Sequence, residues 1–77
     1  MSLHTAVRHL EQGQWEQAHA IAQADESALG CWVHGIVHVQ EGDFDNARYW
    51  YGRARRPFSK DVKAELVALA QAVGEEK

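Results

Sequence analysis

The chain has few of the residues that staple, interrupt or anchor a small protein. Of its 77 residues one is cysteine, Cys31, and one is proline, Pro57. A lone cysteine excludes an internal disulfide and points to a reducing, cytoplasmic setting. No apolar run approaches the roughly 20 residues of a membrane span, and no basic start followed by an apolar stretch marks a signal peptide. A membrane partner is therefore not expected. No stretch carries the alternation of a strand. A nucleophile triad, a phosphate loop and a dinucleotide fingerprint are all missing, so nothing directs the chain toward catalysis or calls for a cofactor. Basic residues are nearly absent from positions 1–47, where Arg8 stands alone against seven acids.

What is present is aromatic and unevenly charged. Three Trp, two Tyr and two Phe supply large rings. Rings help a chain of this size, which buries only roughly 60–65% of its unfolded surface. Six bases (Arg48, Arg53, Arg55, Arg56, Lys60, Lys63) crowd into residues 48–63, against Asp61 alone. Two readings stand. Such a cluster can meet an anionic partner, or it can gather where a helix ends and its dipole favours cations. Nucleic acid is disfavoured as that partner, because the net charge is −3 and no recognised binding module is present.

The strongest pattern is an echo. Gly13-Gln14-Trp15-Glu16-Gln17-Ala18 and Gly42-Asp43-Phe44-Asp45-Asn46-Ala47 both read Gly, polar, aromatic, acidic, amide, Ala. Each block closes one helical pattern and opens another, and such self-similarity marks stacked helical repeats. Five helices are expected. Ser2 caps the first, with Leu3, Ala6, Val7 and Leu10 on one face and Gly13 ending it. The second runs from about 14 to 24, with Trp15, Ala18, Ile21 and Ala22 inward. Asp25 caps a third, about 26–41, ended by Gly42. Asp43 caps a fourth, about 44–55, stopped by Pro57. Ser59 caps a fifth, about 60–73, with Val62, Leu66, Leu69 and Val73 as its stripe, and 74–77 frays.

The third helix is apolar on two sides. Leu29, Trp32, Val33, Ile36 and Val37 share one arc, and Cys31, His34, Gly35 and His38 share another. It should be central. Gly35 within it costs about 1 kcal/mol against Ala, a cost that close approach of another helix backbone would offset.

Gly35, the turn Gly42-Asp43-Phe44, and Ala47, Tyr51 and Ala54 at i, i+4, i+7 resemble the tetratricopeptide and Sel1-like class of helical repeats. The run Ala47-x-x-Trp50-Tyr51-x-Arg53-Ala54 is similar to the second helix of a Sel1-like unit. The likeness is best over residues 28–57, and the run from His34 to Ala54 is also similar to that of small bacterial proteins. The resemblance implies an all-α fold over 1–77. Its parts would be antiparallel helix-turn-helix hairpins at about 2–24 and 26–56, a capping helix at about 59–73, and a right-handed superhelical stack. It also implies a protein-interaction or scaffolding module that binds a protein or peptide along the first helices of its pairs. Two pairs are few, since roughly three repeats are normally needed, and a homodimer through the first or last helix would extend the stack.

Two groups of residues are candidates for function. Tyr49, Trp50 and Arg53, with Arg55 and Arg56 at the helix end, form the expected interaction surface, although Trp50 can equally pack beneath the fifth helix. His34 and His38, at i, i+4, have the spacing of a metal-chelating pair, which makes metal or small-ligand binding the alternative function. The plainer reading is a buried polar network facing Tyr51 and Ala47, with ring nitrogens bonded to a tyrosine hydroxyl, Asp43 or carbonyls. Burial would lower both imidazole pKa values, whereas direct contact with Glu41 or Asp43 would raise them. His4, His9 and His19 read as solvated, and no metal is assigned to them.

Overall fold

The computed structural model describes residues 2–75. Five helices account for most of them: α1 Leu3–Glu11, α2 Trp15–Gln23, α3 Ala28–Glu41, α4 Phe44–Ala54 and α5 Val62–Glu75. No strand occurs among the described residues. None of these helices is long and apolar enough to cross a membrane.

The starts and stops follow local chemistry. Ser2, Ser27 and Asp43 each accept a backbone N–H of the first turn, from Thr5, Gly30 and Asn46, which satisfies a donor the helix leaves orphaned. Asp25, expected as the third cap, instead accepts the N–H of Ser27 in a turn just upstream and hands the role to Ser27. The same displacement occurs before α5. Ser59 Oγ accepts the N–H of Asp61, and Asp61 accepts that of Ala64, so Asp61 caps a helix that begins at Val62. That helix continues through Gly74 to Glu75, where fraying was expected; residues 76 and 77 of the expected tail lie outside the described residues.

Three helices end alike. The N–H of Gln14 bonds His9 O, that of Asp43 bonds His38 O, and that of Arg56 bonds Tyr51 O. Each is the six-to-one bond of a Schellman ending, which needs a left-handed residue just before it. Gly13 and Gly42 supply it at φ +74° and +90°. At the end of α4 the position is held by Arg55, at φ 61°. The six bases near this end are accordingly more than a response to a helix dipole, since one of them occupies a conformation better suited to glycine.

Helix α3 touches all four others. Its residues Gly30 to Val39 are buried without a break, which is why its sequence is apolar on two sides. Helix α5 lies across α1 and α3, and its backbone stays away from α4. Leu69 and Val73 carry its buried stripe, with Leu10, Trp32, Ile36 and Tyr51 among the fully buried side chains around them.

Gly35 is a notch that faces the expected helix backbone, with Ala47 O of α4 3.5 Å from where a Cβ would stand, and it takes a ring as well. A Cβ at Gly35 would stand 2.6 Å from Cδ1 of the Tyr51 ring. That ring is itself 1% exposed. Its hydroxyl donates to Glu65 Oε1 at 2.8 Å, and the same oxygen accepts from Trp32 Nε1 at 3.1 Å. Burial and the Glu65 carboxylate hold the Tyr51 hydroxyl protonated far above its usual range.

Two stability changes of opposite sign are expected. Gly35→Ala gains helix propensity but drives a methyl into a ring fixed at both ends, for a net loss of about 1–2 kcal/mol. At this size the melting temperature falls by roughly 5–15 °C. A variant that melts at or above the parent would show that Tyr51 does not fill the notch. Arg55→Gly removes a left-handed arginine and should gain about 1 kcal/mol. Urea unfolding should show a higher midpoint at unchanged slope; an unchanged midpoint counts against the αL ending.

Candidate functional site

The site grows out of one turn of α3. His34 and His38 lie on the side of α3 away from α5, and both are buried. The stripe meets Tyr51 and Ala47 through Gly35, as its register suggested, but its imidazoles do not. Tyr51 is taken up by Gly35, and the imidazoles turn toward α2 and the neighbouring residue Trp50 instead. The His34 ring lies flat on the Trp50 indole, with centroids 3.8 Å apart and planes within 8°. His38 stacks loosely on its other side at 5.0 Å. Trp50 is thus committed to His34, not to the underside of α5.

The third member is His19, which reads as solvated in the sequence and is half-buried in the structure. It sits on α2, edge-on to His34 at 4.6 Å and to His38 at 5.4 Å. The signal was in the periodicity: Trp15, His19 and Ala22 fall at i, i+4, i+7, on the face that α2 turns to α3. One nitrogen from each of the three rings lies within 4.8 Å of the other two.

The hydrogen-bond inventory separates these rings. Among the described residues the histidines held by hydrogen bonds are His9, to Gln14, and His38, whose Nδ1 lies 2.8 Å from Glu41 Oε1. His19 and His34 make none. The polar network expected around the pair therefore forms at His38 alone, with Glu41 and without a tyrosine hydroxyl. Asp43 is near, with a carboxylate oxygen within 4.8 Å of ligand atoms of His38 and Glu41. Its carboxylate is occupied by the backbone and side-chain nitrogens of Asn46 as the cap of α4.

Electrostatics favours the neutral form of His34 and His19. Burial, then the neighbouring His19, His38 and Arg53, hold the His34 pKa down at about 4. His19 is lowered as well, first by burial and then by His38, with Glu41 opposing. Neutral imidazoles with free nitrogens are the form that binds transition metals. Zinc holds its nitrogen ligands about 3.3 Å apart at tetrahedral geometry. The 4.8 Å spread is thus within reach of side-chain rotation. Glu41 on His38 Nδ1 is the carboxylate–histidine pairing that orients a metal-bound ring and leaves Nε2 for the ion.

The expected interaction residues scatter. Tyr49 is 56% exposed, with the Arg53 guanidinium 6.0 Å above its ring and 5.2 Å above Trp50. Arg55 is exposed at the left-handed helix end. Arg56 is drawn inward, its guanidinium 3.5 Å above the Trp32 ring. Arg48 and Lys60 cover Phe58 and Phe44 in the same way. Four bases of the cluster, with Arg53, are thus bound up in contacts to aromatic faces, each worth about 0.5–1 kcal/mol where exposed. Comparison of the chain with protein-family models, with curated proteins and with solved structures finds no match in any of the three.

The neutral His34 makes stability depend on pH. His34 has a folded pKa near 4 against an ordinary 6.5, so in this interval the unfolded chain binds the extra proton. Stability is complete above 6.5 and declines as pH drops toward 4, by about 3 kcal/mol from His34. Metal-free protein unfolded by urea at pH 7.5 and 4.5 should show that loss, and His34→Gln should flatten it. Equal losses in parent and variant would place the proton elsewhere.

Proposed function

We propose that this chain is a small helical metal-binding protein whose ligands are His19, His34 and His38. The observation that carries the reading is the convergence of three imidazoles from two helices, two of them without any hydrogen-bond partner in the protein. Among the described residues Gln40 Oε1 is the one fully buried side-chain atom without a partner, so the nitrogens of these two rings stay open to a ligand from outside the fold. A borderline-soft divalent ion, zinc first, matches an all-nitrogen set of neutral ligands.

The interaction-module reading keeps one support and loses another. The matched turns at Gly13 and Gly42, each followed by a helix opening on an aromatic residue and burying the Ala three positions on, favour a duplicated helical hairpin of the tetratricopeptide kind. Yet α5 packs on α1 and α3 together, which are the helices a peptide would line up against in that class. A protein partner would therefore have to meet the Tyr49–Arg53 side of α4, and a homodimer would have to form without the open ends of a stack.

Protein stripped with a chelator should take up one equivalent of Zn2+ or Co2+, with a rise in melting temperature as the ion binds the folded form. The double variant His34→Ala/His38→Ala should lose stoichiometric uptake. Glu41→Gln should retain it with affinity weakened about 10–100-fold. Calorimetry that detects no uptake by the parent, or undiminished uptake by the double variant, would overturn the assignment.

A further inference from the structure

A second feature abuts the imidazoles and shares His34 with them. An open cavity of about 320 Å³ lies between the end of α2, the start of α3 and the outer face of α4, lined by Gln23, Asp25, Glu26, His34, Trp50 and Arg53 among others. His34 belongs to both the cluster and the cavity wall. An ion held by three protein nitrogens has one tetrahedral position left, and protein sites that stop at three ligands keep the fourth for water or an exogenous group. Here that position has room for more than a water, whose share of liquid volume is about 30 Å³.

We propose that the fourth position opens into this cavity and takes a small carboxylate-like oxyanion, bound to the metal at one end and to the Arg53 guanidinium at the other. The proposal rests on the three-histidine metal site. Three features of the cavity favour an anion over a neutral ligand. Arg53 is a fixed cation on its rim, and its planar fork suits a carboxylate. The metal adds a further positive charge at the floor. Of the two acids on the opposite side, Asp25 is turned to its own backbone, where it accepts the Ser27 N–H at 2.9 Å. Asp25 keeps its charge in that bond, so it and the exposed Glu26 both oppose an anion, and the metal's charge together with Arg53 has to outweigh them. The permanent charge that acts on His34 is Arg53, which opposes a positive charge on that ring. The flat face of Trp50, pinned by His34, closes one wall to water and strengthens the electrostatics inside.

Cobalt-loaded protein tests this directly, because the visible bands of Co2+ report its ligands. Titration with acetate should change those bands saturably, while acetamide, of the same shape but uncharged, should not. Arg53→Gln should weaken the acetate response about tenfold or more. The same variant should bind Co2+ no more weakly than the parent, since a cation beside the imidazoles has been removed. Glu26→Gln should move the acetate affinity the other way. If Co2+ binds through the three histidines and its bands ignore acetate, the fourth position is closed and the proposal is wrong while the metal site stands. An acetate response equal in parent and Arg53→Gln would remove the arginine's part and overturn the two-ended binding. If Co2+ does not bind, the metal reading falls and takes the anion's anchor with it.

Discussion

The seating of the Tyr51 ring in the gap left by Gly35 sets the positions of most other groups in the molecule. The ring enters because residue 35 has no Cβ. It stays because its hydroxyl reaches the Glu65 oxygen that also receives the Trp32 indole N–H. One carboxylate oxygen thereby ties α3, α4 and α5 through two buried rings. Because adjacent residues on a helix point about 100° apart, fixing Tyr51 also fixes where Trp50 points. Trp50 is the next residue back on α4, and His34 is the next residue back from Gly35 on α3. The stack of His34 on Trp50 follows from the seat of Tyr51 at Gly35, one residue along on both helices.

The same seat explains the charge asymmetry. A carboxylate buried between Trp32 and Tyr51 draws positive charge toward it, and Arg56 answers by lying on the Trp32 face. The remaining rings at the edges of the core are left with one face toward solvent. Arg48, Arg53 and Lys60 cover Phe58, Trp50 and Phe44 with guanidinium or ammonium groups. A 77-residue chain cannot enclose seven large aromatic side chains completely. Long basic side chains are a way to cover the remainder, since their stems pack and their heads stay hydrated. The cluster of bases in residues 48–63 thus reflects where the rings are, and no anionic macromolecule is needed to account for it.

Much of the fold was legible because its signals are local. Turn glycines, capping serines and the two-sided apolarity of residues 29–39 are each decided within a few residues, and they return as αL endings, N-caps and a helix buried over ten consecutive positions. The errors share a different origin. Asp25 and Ser59 are good caps in isolation, but each spends its oxygen on an N–H two residues on, and the helix starts later. Gly35 reads as room for a backbone, and the sequence cannot say which side chain will also occupy it. His34 and His38 were legible as a pair on one helix. Their third partner was not, because His19 comes from another helix and its position on the inward face of α2 shows only in the spacing to Trp15 and Ala22. Tertiary neighbours decide these cases, and local chemistry contains no record of them.

The imidazoles stand out against this background of agreement between local preference and global packing. Among the described residues Gln40 Oε1 is the one fully buried side-chain polar atom lacking a bond, so the unpaired imidazole nitrogens of His19 and His34 reach solvent. In a domain this small the margin of stability is a few kcal/mol, and keeping His34 neutral against its solution preference consumes a comparable amount in mild acid. Sequences selected for folding alone would place an apolar residue at the buried positions 34 and 38. Rule-breaking of this kind concentrates where structure serves something beyond itself. On the proposed metal-binding reading, the stability that His34 forfeits in the empty cluster would return as part of the free energy that holds the ion.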